Sequence, residues 1–287
     1  MESARTSVLE GGSSKGVASV YERVSPMKND RGHVVLVAGD APYLGGPATW
    51  LPLRQAASEL QFVEVDLLEA ADGMDPIDAA REMVRKVLPG ALAVVVHRTA
   101  APITIEAIAA IDPFIPVLLV SPRIITRQSL LLRVVRALAG GIGGNFLNAF
   151  ARSKRRRLLA DKPYIRKQLA LLVRNDAITD ELMGEAYDRI ADPRMDVAVA
   201  RTAETLRGIL RPVDARANAA VSNRKVLLGE GPMDRKARAR GSATVLHDAW
   251  SAPMLEAPHA VAAHLHSLVA ATGRLNQRET SSPMRLE

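Results

Sequence analysis

The chain is 287 residues long, 48% hydrophobic and 24% charged, with a net charge of +7 and no cysteine. That length suffices for one large α/β domain, or for a core domain with an inserted subdomain. The lack of cysteine excludes disulfides and thiolate metal sites, and a cytoplasmic protein is expected.

The first sixteen residues are polar and carry Gly11-Gly12-Ser13-Ser14 rather than the apolar core of a signal peptide. No apolar stretch approaches the ~20 residues of a membrane span, so no membrane partner is expected. Much of the excess positive charge sits in two arginine-rich stretches, 152–157 and 235–240. Two Trp, four Tyr and four Phe are too few for a base-stacking platform as well as a core. Nucleic acid is therefore not an expected partner.

Residues 1–30 read as a flexible lead-in, with a short strand at 17–24. Asn29-Asp30-Arg31-Gly32 is a turn signal. His33 to Val37 is a buried strand ending in Ala38-Gly39-Asp40, followed by a loop with Tyr43, Gly45 and Gly46. Ala48 to Leu60 reads as a helix, because Trp50, Leu53, Ala57 and Leu60 share one face. Residues 61–66 alternate like a strand, and residues 75–87 form an amphipathic helix with Pro76 at its start. Leu92 to Val96 is a continuous apolar run, as in a strand buried on both faces. It changes abruptly to His97-Arg98-Thr99, and a helix with Pro102 in its first turn follows. Thr99 is placed at the corner. Residues 116–122 are another apolar strand.

Alternating strands and helices predict a mostly parallel sheet covered on both sides. Ligands of such sheets bind at the carboxyl ends of the strands, where this corner lies. From 123 to 221 the pattern is helical: 128–139, 164–174, 179–190 and 195–209. Thr179 is a helix cap and the glycines at 140–144 are a hinge or a plain loop. Strands return at 225–230 and 243–247, and a last helix spans 259–271.

The strand–corner–helix at 91–110 resembles the nucleophile elbow of the α/β-hydrolases. The five positions His97-Arg98-Thr99-Ala100-Ala101 stand where that family has Gly-x-Ser-x-Gly. The tail Ala249-Trp250-Ser251-Ala252-Pro253-Met254-Leu255-Glu256-Ala257-Pro258 is similar to the family's Ala-Gly-His-x-Pro-x-x-Glu-x-Pro. The phrase Ile165-Arg166-Lys167-Gln168-Leu169 to Leu182 is similar to lid segments of epoxide hydrolases and carbon–carbon-bond hydrolases. The resemblance implies an α/β-hydrolase core at 31–122 and 222–272, a helical cap at 123–221, and flexible ends at 1–30 and 273–287.

The same resemblance implies that the triad is gone. Thr99 stands at the nucleophile, Ser251 at the histidine, Pro232 at the acid (Asp234 lies two residues on) and Ala38-Gly39 at the His-Gly motif. Triad acyl transfer needs nucleophile, base and orienting acid together, so it is not expected. The catalytic candidates are His97 as acid or base, Arg98 as a bidentate carboxylate binder, and Thr99. Gly39, Asp40, Tyr43, Trp250 and Ser251 are the candidate substrate contacts. The plainer roles are that His97 bonds a neighbouring loop, Arg98 pairs with Asp40 or Asp66, and Trp250 fills volume.

His259, His264 and His266 in the last helix lack the arrangement of a metal set, and no phosphate or dinucleotide loop follows the first strand. No metal and no cofactor are expected. The expectation is a non-hydrolytic, cofactor-independent enzyme that cyclises, eliminates from or isomerises a hydrophobic small molecule in bacterial polyketide-like biosynthesis. The alternative is a catalytically dead pseudo-hydrolase that binds a small molecule or a protein. A homodimer is left open.

Overall fold

The computed structural model describes residues 32–39, 43–67, 76–98, 100–122, 161–192, 224–231, 234 and 243–271. The strand expected at 17–24, the helices at 128–139 and 195–209, the glycines at 140–144 and the arginine-rich stretches lie outside the described residues.

Strands β1 (His33–Ala38), β2 (Gln61–Asp66), β3 (Ala91–His97), β4 (Val117–Val120), β5 (Arg224–Gly229) and β6 (Thr244–Leu246) form one six-stranded sheet. The order is β2-β1-β3-β4-β5-β6, and every neighbouring pair is parallel. The chain leaves β1 for β2 on one side, then crosses back to place β3 on the other. That reversal makes the carboxyl ends of β1 and β3 the switch point of the sheet, the place where ligands of such sheets bind.

The helices are α1 (Pro47–Ala56), α2 (Pro76–Val87), α3 (Ala100–Ile111), α4 (Lys162–Leu169), α5 (Asp180–Ala191), α6 (Pro253–Glu256) and α7 (Pro258–Ala271). Strand parity sorts the core into two layers. Val34, Leu36, Ala38, Ala93, Val95, Leu118 and Val120 face one layer, together with Trp50 and Leu53 of α1 and Val261 and Leu265 of α7. Val35, Val37, Val94, Val96, Val117 and Leu119 face the other, against Ile103, Ala107 and Ile108 of α3 and Val84 and Val87 of α2. Each fully buried Val or Leu contributes roughly 1.5–3 kcal/mol, so this parity is strongly fixed.

The helical segment 161–192 belongs to the first layer. Ile165, Leu169, Leu172, Val173, Leu182, Ala186 and Ile190 are all buried in it. Thr179 caps α5 by accepting the Leu182 N–H at 3.2 Å. Helix α4 ends at Leu169 rather than Arg174, because tight turns bend the chain and carry Leu172 and Val173 into the core. Helix α1 ends at Ala56, four residues short of the expected limit, and Ala57 closes it by donating to the Leu53 carbonyl. Among the described residues, no helix is long and apolar enough to cross a membrane.

Candidate functional site

Three strand ends lie in register. His97 of β3 pairs with Val120 of β4, and Val120 with Leu227 of β5. The residue after β3, Arg98, has φ 47°, and the residue after β4, Ser121, has φ 44°. These are the non-glycine residues with positive φ among those described. A left-handed backbone costs an ordinary side chain about 1–3 kcal/mol and persists only where the surroundings impose it. Here the sheet imposes it: Arg98 N–H donates to the Val120 carbonyl at 3.1 Å, and Ser121 N–H to the Leu227 carbonyl at 2.8 Å. The Ala101 N–H in turn reaches the Arg98 carbonyl at 3.2 Å and starts α3. Thr99 lies outside the described residues, and Arg98, the residue before it, carries the left-handed backbone at the end of β3.

Both strained residues act on one carboxyl group. Ser121 Oγ donates to Asp234 Oδ2 at 2.9 Å, and the Gly229 N–H donates to the same oxygen at 3.3 Å. Asp234 is 3% exposed and Arg98 5%. Burial pushes the Asp234 carboxyl above its ordinary 3.8. The Ser121 hydroxyl, the Arg98 charge, the Gly229 amide and the Ser251 hydroxyl pull it back down, in that order. The Arg98 charge thus acts on Asp234, whereas Asp66 pairs with Arg189 of α5. Asp40 and Pro232 lie outside the described residues.

His97 is fully buried and points into the first layer, as its parity with Ala93 and Val95 requires. Its Nε2 lies 2.9 Å from the Ser251 carbonyl, and its ring meets Trp50 edge-on at 6.3 Å. The histidine thus ties the end of β3 to the loop before α6 (the neighbouring-loop role). That loop is held from a second side. Ser251 N–H donates to the Leu172 carbonyl at 2.9 Å. Glu256 accepts the Trp250 and Arg174 N–H groups, each at 2.5 Å. Burial raises the Glu256 carboxyl above its ordinary 4.5 despite these donors.

Gly39 follows β1, and a Cβ there would stand 3.2 Å from that of Ala100, so the glycine lets β1 approach the start of α3. Tyr43 is partly buried beneath the inserted helices, and burial followed by the neighbouring Tyr164 raises its hydroxyl above 10.0. Trp250 packs beside Gly229 and Gly231. The structure thus gathers Arg98 and Ser251 around Asp234, while His97 supports the loop behind them. Sequence reasoning named Asp234 only as the acid two residues beyond Pro232 and gave Ser121 no role. The Ser-Pro after a strand and an acid five residues beyond Gly229 were the available signals. Among the described residues no cluster of three His, Asp or Glu side chains could hold a metal ion.

Two solved structures of DBJA match the chain, each with a TM-score of 0.51. Their identities are 14% and 12%, covering 84% and 83% of this chain and 91% and 92% of theirs. The haloalkane dehalogenase DbeA-M1 loop variant from Bradyrhizobium elkanii matches at a TM-score of 0.48 and 11% identity, covering 88% of this chain and 93% of its own. Juvenile hormone epoxide hydrolase from the silkworm Bombyx mori matches at 0.47 and 12%, covering 88% and 76%. No protein-family model and no curated protein matches. The parallel six-stranded sheet and its covering helices are an α/β-hydrolase fold.

Proposed function

We propose that this chain is a non-hydrolytic protein of the α/β-hydrolase fold that binds a hydrophobic small molecule over the carboxyl ends of β3, β4 and β5. The observation that carries the reading is the pair of left-handed residues, Arg98 and Ser121, both acting on buried Asp234. Backbone strain at adjacent strand ends, gathered around a buried carboxyl group, is characteristic of a site rather than of a scaffold. The position matched to the nucleophile holds Thr99 in place of serine, and the residue before it is a guanidinium, which has no nucleophilic role. The loop that would bring a histidine brings Ser251 instead. Ester, epoxide and carbon–halogen cleavage by a covalent intermediate are thereby left without a base.

Arg98 supplies the polar anchor for a ligand carbonyl or carboxylate, and Asp234 holds the guanidinium in place. The catalytic version of this reading is a cyclisation, elimination or isomerisation of the bound molecule, as in assembly of a polyketide-like product. In that version the barrier falls mainly because a flexible substrate is held in its reactive shape. His97 takes no part as acid or base, because its ring is committed behind the corner. The binding-only alternative keeps the same contacts without turnover.

Two measurements test the proposal. With 4-nitrophenyl butyrate, the chain is expected to release nitrophenolate no faster than buffer and to take no label from a fluorophosphonate. A stoichiometric burst or labelling would overturn it. In a thermal-shift panel of hydrophobic acids and ketones, binders to the wild type are expected to fail with Arg98→Ala, and product analysis of those binders separates turnover from binding.

A further inference from the structure

Helix α5 carries two charged residues one turn apart, Glu185 and Arg189, which share a face. Glu185 reaches across to the start of α1. Its Oε1 accepts the Gly46 N–H at 3.0 Å and the Thr49 hydroxyl at 3.2 Å, and its Oε2 accepts the Ala48 N–H at 2.6 Å. Gly46 is the residue capping α1 and has no side chain to satisfy those donors. A carboxylate from another helix therefore supplies the missing cap, at the positive end of the α1 dipole. Arg189 forms a buried ion pair with Asp66, the last residue of β2. Its guanidinium also lies 3.1 Å from where a Cβ on Gly45 would stand, and Gly45 has φ 147°. The two residues thus grip both sides of the turn 43–46, which follows the switch-point strand and carries Tyr43.

We infer that Glu185 and Arg189 are positioning residues. They fix the turn after β1 at the rim of the candidate site, so ligand affinity there depends on α5. The dependence on ligand rests on the binding reading above, whereas the fixing of the turn does not. A purely global stabilising role would loosen the whole chain when the grip is lost. A positioning role loosens one turn.

The test uses the full chain with two variants. Glu185→Ala removes the carboxylate. Gly46→Ala leaves Glu185 in place but sets a Cβ 2.5 Å from its Cδ, at a backbone (φ −94°, ψ −170°) open to any residue. Amide hydrogen exchange at 45–50 is expected to rise at least tenfold in both variants, with β3 and β4 unchanged. Wild-type exchange, or a rise spread evenly over the sheet, overturns the inference.

A second arm titrates 1-anilinonaphthalene-8-sulfonate, a hydrophobic organic anion, against the emission of Trp50 and Trp250. The wild type is expected to show saturable quenching, and both variants to bind at least tenfold more weakly. Unchanged affinity in the variants overturns the role of α5 in ligand binding. A wild type with no saturable quenching overturns the binding reading itself, while the exchange result still decides whether the turn is positioned.

Discussion

Two buried ionic groups sit at opposite ends of the same row of strand termini. At the β3–β5 corner, Arg98, Ser121, Asp234 and Ser251 are all supplied by strand ends and the loops that follow them. At the β1–β2 edge, Asp66 and the start of α1 depend on Glu185 and Arg189, which come from the helices inserted between β4 and β5. The corner is held by backbone strain and short connections. The edge is held by side chains that must travel from a separate segment. The difference teaches that the ionic groups of the edge depend on side chains of the inserted helices, while the polar groups of the corner come from the sheet and its following loops, which the inserted segment only braces through Leu172 and Arg174.

The largest effect expected is from breaking the corner's support. A Cβ on Gly229 would overlap the Trp250 carbonyl oxygen and stand 2.6 Å from that of Ala249. Because both obstacles are backbone, nothing can rotate away. Gly229→Ala is expected to cost about 4 kcal/mol or more, read as a loss of soluble folded protein or a collapse of the urea midpoint. A variant within 1 kcal/mol of wild type would mean the loop 249–251 is not packed on β5.

Breaking the edge comes next. Arg189→Met leaves Asp66 buried without its partner, a loss of roughly 3–5 kcal/mol. The double variant Arg189→Met, Asp66→Leu is expected to recover most of that, since a buried pair exchanged for apolar groups is often neutral. Urea unfolding of the three proteins measures it. A double variant no better than the single would show that Arg189 matters for something other than Asp66.

The pH response separates the regions further. Burial lifts Asp234 above 3.8, so the folded chain keeps a proton that the unfolded chain has released. Stability from this group is therefore fully present below 3.8 and falls as the pH rises through the folded-state value, then levels. Asp234→Asn is expected to flatten that slope. Glu185 at the edge and Glu256 beside Trp250 are raised above 4.5, first by burial, and contribute with the same sign. Part of the slope should thus survive in Asp234→Asn and diminish further in the added Glu185→Gln. Urea midpoints of wild type and variants from pH 3 to 7 decide this, and a slope left unchanged by Asp234→Asn would contradict it.

The smallest effect is local to α5. Thr179→Ala removes its cap and is expected to cost about 1 kcal/mol without altering either ionic group.

Much of the sheet was legible in the sequence because its strands are valine-rich and buried on both faces. Val34 to Val37 and Leu92 to Val96 have no other plausible place. Helix limits were less legible, since Leu171 and Leu172 keep a helical-looking spacing while the chain has already turned. At the site, His97 and Arg98 stood out because charge followed an apolar run. What each does was hidden, for two reasons. Strand parity turns His97 inward toward Trp50. The strain at Arg98 depends on a hydrogen bond to Val120, which no local pattern encodes. What Ser121, Asp234 and Glu185 bond to is visible only through the pairing of distant segments.

The edge has a consequence for biosynthesis. Asp66 and Arg189 are separated by 123 positions. A ribosome adding 5–20 residues per second needs on the order of ten seconds to make the arginine after the aspartate. Throughout that interval β1 and β2 exist without this clasp, and Asp66 at the end of β2 waits for Arg189. The nascent sheet is therefore expected to form around β3 first and to close its outer edge only when α5 has emerged.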